Sequence, residues 1–178
     1  MAYDIIIDNK NNKLNSVLEN RILENSSLEI LVHNFTLYAY AKMRDTLHRL
    51  KSAKILIEDD EYLLDKFEKK NEAMQFMLTS EGLDISNVLQ QKFIVRDCSE
   101  WLKNKVQIKV TNKKDYIRGC LYQIFNEDGS NFTTVGTSSF NKWGLGLSSD
   151  RVYLNVEITD KKQKEDLSCW FNSLWNDD

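Results

Sequence analysis

The sequence predicts an α/β fold, and three of its features carry that prediction. Residues 27–57 have a strand–helix–strand order with short connections, strands dominate residues 106–158, and an amphipathic helix closes the chain. A strand–helix–strand unit places two parallel strands side by side and covers them with the helix. The 178 residues suit one domain with a sizeable core, so we expect a single domain over residues 1–178.

The first half of the chain alternates helices with strands. Leu14, Val17, Leu18 and Ile22 recur at the spacing of one helix face. Thr36 suits the N-cap of a second helix, because its hydroxyl can accept a hydrogen bond from the first turn. We therefore predict, in order, a helix over 14–22, a strand over 27–32, a helix over 36–50, a parallel strand over 54–57, and helices over 60–80 and 84–103.

Strands dominate the second half. Apolar and polar residues alternate from Val106 to Val110, as in a half-buried strand. We predict strands over 106–110, 116–125, 132–136 and 152–158 and expect them to pair as hairpin neighbours. The last helix carries an aromatic stripe at helical spacing that we expect to pack on the sheet: Leu167, Trp170, Phe171, Leu174 and Trp175.

The composition is that of a globular protein without a membrane span. Hydrophobic residues make up 42% of the chain, and no apolar run approaches the ~18 residues that a span requires. The N-terminal stretch lacks the basic start and long apolar centre of a secretory signal, so we expect a cytoplasmic protein with no membrane partner.

Three cysteines, Cys98, Cys120 and Cys169, have neither CxxC nor Cys/His spacing. This pattern predicts reduced, mostly buried thiols rather than a disulfide framework or a zinc site. We expect no metal and no cofactor.

The net charge of −3 argues against the broad basic surface of a strong nucleic-acid binder. Basic residues still crowd one stretch, which is either a solvated face or a local basic patch: Lys103, Lys105, Lys109, Lys113, Lys114 and Arg118.

One glycine-flanked serine pair is the candidate for chemistry. Residues 135–145 read VGTSSFNKWGL, in a chain that has only six glycines. A turn of this kind after an apolar strand offers backbone N–H groups and hydroxyls to a phosphate.

Seven strings in the same order resemble a known family. They are IIIDNKNNKL, SSLEILVHNFTLYAY, LKSAKILI, YIRGCLYQIF, VGTSSFNKWGL, VYLNVEITD and WFNSLWND. The chain resembles the phospholipase D-like domain at the N-terminus of bacterial Swi/Snf-like helicases, a relative of the HKD nucleases. The resemblance implies a phospholipase D-type sandwich, in which helices flank both faces of a mixed sheet of about seven strands.

The resemblance also implies a chemistry, two-step phosphodiester cleavage. In the family, one histidine attacks phosphorus and a second protonates the leaving oxygen, while lysine, asparagine and serine hold the phosphate. The two histidines come from two copies of the motif that face each other in a dimer or pseudo-dimer.

This sequence departs from the family pattern at the reacting positions. Arg118 and Cys120 stand where the family has His-x-Lys, Ser139 replaces the asparagine of Gly-Ser-x-Asn, and Tyr153 fills a place where relatives often have Glu. A guanidinium has no free lone pair at neutral pH, so Arg118 can be neither a nucleophile nor a proton shuttle.

The other candidate nucleophiles are His33, His48 and Cys120. Neither histidine has a lysine two residues further on, and we expect both to be structural or surface residues. A Cys120 thiolate activated by Arg118 is an alternative, but a buried strand cysteine is the ordinary case.

The residues at these positions are still suited to binding a phosphate. Arg118 offers a fork of donors, and the turn adds hydroxyls and a nearby ammonium group. The predicted phosphate-binding residues are Arg118, Thr137, Ser138, Ser139 and Lys142. The alternative is that the glycines only form a turn and that Arg118 pairs with a nearby carboxylate.

Three hypotheses about function follow. In the first, the domain is a catalytically degenerate accessory module of a bacterial DNA helicase of a restriction or defence kind. It then contacts DNA weakly through phosphates, alongside the helicase domains of the same chain. In the second, it is a structural module that forms a homodimer. In the third, it is an active phosphodiesterase or nuclease with an unrecognised nucleophile.

Overall fold

The computed structural model describes residues 5–57, 88–111, 117, 119–148 and 150–176. These residues form an α/β fold in which a seven-stranded mixed sheet is accompanied by four helices. The strands are β1 Ile6–Ile7, β2 Ser27–Val32, β3 Ser52–Ile57, β4 Val106–Val110, β5 Cys120–Phe125, β6 Phe132–Gly136 and β7 Asn155–Glu157. The helices are α1 Leu14–Arg21, α2 Leu37–His48, α3 Val88–Lys105 and α4 Lys161–Trp175.

The sheet order is β1-β7-β6-β5-β2-β3-β4. The strand–helix–strand unit forms as predicted, because β2 and β3 are parallel and α2 connects them. On the other side of β2 the sheet is antiparallel from β5 through β6 and β7 to β1. The centre of the sheet is therefore where its parallel and antiparallel halves meet.

The alternation along β2 divides the core into two layers. Ile30 and Val32 face a large cluster that includes residues of α1, α2 and α3. Leu31 faces a smaller cluster with Phe171 and Trp175 of α4. Since successive residues of a strand point to opposite faces, helices cover both faces of this sheet.

Thr36 caps α2 as the sequence predicts. Its hydroxyl accepts a hydrogen bond from the backbone N–H of Ala39 at 3.3 Å. The helix then ends near His48, and Arg49 is its C-cap residue. This start matters for the candidate site, because it fixes where the N-terminus of α2 lies.

The predicted hairpin between residues 106–110 and 116–125 is wrong. β4 pairs with β3 in parallel at one border of the sheet, whereas β5 pairs with β2 and β6. The reason is that α3 leads directly into β4 and delivers it beside β3, so β4 extends the parallel half of the sheet to three strands. The predicted helix over 60–80 lies outside the described residues.

Two further features differ from the predictions. The sequence pattern does not predict β1, whose two residues pair with β7. In the aromatic stripe of α4, Phe171 and Trp175 are buried, but Trp170 is 41% exposed.

No helix in the described part of the chain combines the length and the apolar character that crossing a membrane requires.

A charged cluster joins α2 to α3. The guanidinium of Arg44 binds both carboxylate oxygens of Asp97, with Nε–Oδ2 at 2.8 Å and Nη2–Oδ1 at 3.0 Å. The hydroxyl of Tyr40 donates to Asp97 Oδ2 at 2.5 Å, and His48 Nε2 lies 3.1 Å from the same oxygen. The Arg44 guanidinium holds the pKa of Asp97 well below its usual range, since the ionised carboxylate accepts these bonds.

We expect Asp97→Asn to lower the free energy of unfolding at neutral pH by about 1–3 kcal/mol, because Arg44 and Tyr40 then face a neutral acceptor in place of a charged one. A lowered pKa means that ionised Asp97 contributes stability above the pKa of the unfolded chain, about 4, and less as the pH falls below it. Urea unfolding of both proteins from about pH 7 to about pH 3 should show their difference shrinking on acidification.

Asp45→Asn is the matched control for this prediction. Asp45 also lies 3.3 Å from Arg44, but its side chain is 91% exposed, whereas that of Asp97 is 14% exposed. An exposed ion pair contributes about 0–1 kcal/mol. An equal loss in both variants, or a difference that does not depend on pH, would contradict the prediction.

Candidate functional site

The serine pair lies at one end of the sheet, where several strands begin or end together. The register places Ile7 opposite Asn155, Asn155 opposite Gly136, and Gly136 opposite Cys120. We call this region the serine end of the sheet. The loop after β2 also reaches it, because β5 begins where β2 finishes.

The hydroxyl of Ser138 belongs to a buried hydrogen-bond network. Ser138 is fully buried, and its Oγ accepts a hydrogen bond from Asn155 Nδ2 at 2.8 Å. Asn9 Nδ2 lies 3.4 Å from the same Oγ. The carbonyl of Ser138 accepts a bond from the hydroxyl of Tyr122 at 2.8 Å, and burial raises the pKa of Tyr122 well above its usual value. The Ser138 side chain is therefore a buried hydrogen-bond acceptor inside the fold.

Ser139 ties the turn to the loop after β2. Its Oγ accepts hydrogen bonds from the backbone N–H groups of His33 at 2.9 Å and Asn34 at 3.1 Å. Phe140 then pairs with Phe35, and their rings stack with centroids 4.6 Å apart. The serine turn is therefore bonded to the segment that leads into α2.

Asn9 and Asn155 are the residues of this network that sequence reasoning missed. Asn9 is 1% exposed, donates to the carbonyl of Gly144 at 2.6 Å, and accepts a bond from the backbone of Leu14 at 2.9 Å. Asn155 also donates to the carbonyl of Ile7 and accepts from the backbone N–H of Ser138. The available signal was an asparagine beside each short apolar run, which by itself indicates only a turn.

Close backbone approach accounts for two of the glycines. A Cβ at Gly136 would overlap the carbonyl of Leu154 and the side chain of Asn155. A Cβ at Gly144 would overlap the backbone of Ser139, including its carbonyl oxygen. The glycines therefore let the serine turn pack closely against its neighbours.

The predicted phosphate-binding residues have different surroundings. Arg118 lies outside the described residues. Thr137 is exposed, whereas Ser138 and Ser139 are buried. Lys142 is half-buried, with its ammonium 5.6 Å from the centre of the Tyr38 ring. Nothing in this placement tests the phosphate-binding role, which stays a prediction.

Two further cations lie near the serine turn. Lys42, in the second turn of α2, has its ammonium 5.6 Å from the same Tyr38 ring, so two ammonium groups share one ring. The guanidinium of Arg151 lies 4.3 Å from the centre of the Trp143 ring. The N-terminus of α2 adds the partial positive charge of the helix dipole at this end.

The two histidines are separated by the fold. His48 belongs to the Asp97 cluster between α2 and α3. His33 is half-buried at the serine end, where its backbone bonds to Ser139. Cys120 is 3% exposed, as expected for a strand cysteine, and Cys98 is also buried, but Cys169 is exposed.

The chemical capacity of the serine end follows from these groups. Among the described residues, no three His, Cys, Asp or Glu side chains lie close enough together to hold a metal ion. The serine hydroxyls accept amide hydrogen bonds, while ammonium and guanidinium groups lie on aromatic rings. The serine end therefore combines a buried polar interior with cationic side chains at aromatic rings.

Comparison with known proteins does not add a relative. No protein-family model matches the chain, and no curated protein matches it significantly. What the structure defines is the class, an α/β protein built on a seven-stranded mixed sheet. The relation to phospholipase D-like domains stays a prediction from the quoted strings.

We expect Gly144→Ala to lower the free energy of unfolding by about 1–3 kcal/mol or more, because the added methyl group meets rigid backbone at Ser139. Gly119→Ala is the control at the same end of the sheet. Its Cβ would meet only the carbonyl oxygen of Gly136, at 3.8 Å, so the change should stay within about 0.5 kcal/mol. Equal unfolding midpoints in urea for the two variants would show that the close approach is unimportant.

Proposed function

We propose that this domain is a noncatalytic module that binds the phosphates of DNA at the serine end of its sheet. The observation that carries the proposal is the convergence of Lys42 and Lys142 on the Tyr38 ring, beside the start of α2. These two lysines are far apart in the sequence, and the fold brings each ammonium to 5.6 Å from the centre of the same ring. Two cations at one aromatic ring place positive charge there, which suits an anionic ligand.

The resemblance to phospholipase D-like domains supports the same ligand. Its motif strings fall on β5 and on the serine turn after β6, which meet at one end of the sheet. A mixed sheet of seven strands with helices on both faces also agrees with the expected architecture. Phosphodiesters are the substrates of that family.

The residues also support binding without cleavage. Arg118 and Cys120 occupy the positions that carry His-x-Lys in the family, and arginine stays protonated at neutral pH. The hydroxyls of Ser138 and Ser139 already accept backbone or amide hydrogen bonds. A nucleophile with a general base is therefore not provided by the residues that match the family motif.

The net charge of −3 leads us to expect a low affinity for DNA. A protein with few phosphate contacts binds DNA weakly and releases it as the salt concentration rises. We propose weak binding that becomes useful when other domains of the same chain hold the DNA. By resemblance, those domains belong to a bacterial helicase of a restriction or defence kind, and a second copy of this domain can pair with it.

Replacing Lys42 and Lys142 together by glutamine should weaken binding to duplex DNA. Fluorescence anisotropy of a labelled duplex at low salt measures the affinity. The slope of log affinity against log salt should become shallower by about 0.9 for each phosphate that the variant no longer neutralises, hence by up to about 1.8. Arg118→Ala should weaken binding in the same direction.

The matched control replaces Lys161 and Lys162 by glutamine. Both residues are exposed in the first turn of α4, and the double change alters net charge by the same amount. Wild-type affinity is expected in this control. If both double variants lose the same affinity, only overall charge matters and the proposed site is wrong. If neither loses affinity, phosphate binding at the serine end is wrong.

Phosphodiester hydrolysis is the second candidate, and the position of His33 at the serine turn favours it. In such a reaction an imidazole nitrogen attacks phosphorus, the leaving oxygen departs with a proton from an acid, and water then hydrolyses the phosphohistidine. Plasmid and a chromogenic phosphodiester should be tested with wild type and with His33→Ala, Arg118→Ala and Cys120→Ala. Cleavage that disappears only in His33→Ala would replace the binding proposal with an enzymatic one.

A further inference from the structure

Trp143 is an aromatic side chain at the serine end that the phosphate-binding proposal does not use. It follows Lys142 directly, and the residue is half-buried. The guanidinium of Arg151 lies over this ring at 4.3 Å from its centre, and Arg151 itself is exposed. One surface therefore holds an indole face beneath a cation that solvent can reach.

Hydrogen bonds hold both the backbone and the side chain of Trp143. The backbone carbonyl of Trp143 accepts a hydrogen bond from Asn9 at 3.2 Å. The Asp150 carboxylate accepts hydrogen bonds from Ser148 and from the Trp143 side chain, which together lower the pKa of Asp150. A ring held in this way loses little freedom when a planar group stacks on it.

We propose that Trp143 is a stacking platform for an unpaired base, so that the ligand at the serine end is single-stranded DNA. The inference rests on the proposed phosphate-binding function and names its substrate class. Proteins that bind single strands combine cations for the backbone with aromatic rings for the bases. Here Lys42 and Lys142 supply the cations. Trp143, which directly follows Lys142 in the sequence, supplies the aromatic ring.

Arg151 covers the platform when DNA is not bound. A cation over an exposed ring contributes about a two- to fivefold change in an equilibrium constant. A base stacked on an aromatic ring contributes about a 5- to 150-fold change. Exchange of the guanidinium for a base is therefore favourable, and the released guanidinium can bind a phosphate. Asp150 carries the opposing charge beside this ring, so the phosphates are expected on the side of Lys142.

A duplex cannot use this platform, because its bases are already stacked and paired. Selectivity for single strands is thus the property that separates stacking from phosphate contact alone. A labelled oligothymidylate of about 12 nucleotides and a duplex of the same length are the two probes, compared at low salt by fluorescence anisotropy.

The expected result is that Trp143→Leu weakens binding to the single strand by about 5- to 150-fold and leaves duplex affinity unchanged. Trp143→Phe should retain most of the affinity, since phenylalanine keeps an aromatic face. Arg151→Ala should lower the salt slope for the single strand by about 0.7, the value for one phosphate contact. Trp170→Leu is the matched control, because Trp170 is 41% exposed on α4 and outside the serine end.

Tryptophan fluorescence provides a second measurement that does not depend on the folding of Trp143→Leu. Addition of oligothymidylate should quench tryptophan emission in wild type and in Trp170→Phe, and this quenching should be absent from Trp143→Phe. Quenching that persists in Trp143→Phe overturns the platform. Equal losses for single strand and duplex, or unchanged single-strand binding by Trp143→Leu, also overturn it while the phosphate-binding proposal stands. If wild type binds neither probe at low salt, both proposals are wrong.

Discussion

The buried hydroxyl of Ser138 is the group on which the serine end depends. Asn155 and Asn9 approach it from β7 and from the turn after β1, and both amides also bond to backbone carbonyls. Amide groups that are buried without partners are costly, so each of these bonds constrains the others. The network fixes the relative positions of strand ends that the chain reaches at very different points.

The same constraint explains how the serine turn keeps its shape. Ser138 and Ser139 hold the turn in place through amide and backbone hydrogen bonds, and Gly136 and Gly144 allow backbone segments to touch. The shape of the turn thus depends on structural contacts within the fold, and the proposed binding role is compatible with it.

Helix α2 connects the two polar regions of the domain. Its N-terminus, capped by Thr36, lies at the serine end with Lys42 nearby. Its C-terminal half directs Arg44 and His48 to Asp97 of α3. One ionised carboxylate therefore anchors the helix that presents a cation beside the serine turn, so that the packing of α2 and α3 contributes to the position of the candidate site.

Local sequence determined the α/β class, the parallel β2–β3 pair, the Thr36 cap and the buried strands, because hydrophobic periodicity and capping act over a few residues. It also located the serine turn. Only the tertiary structure decided that β4 joins β3 rather than β5, because strand pairing depends on where a preceding helix delivers the chain. Likewise, Asn9 lies 129 residues from Ser138, and no local pattern records that two such distant polar groups will share one buried hydrogen-bond network.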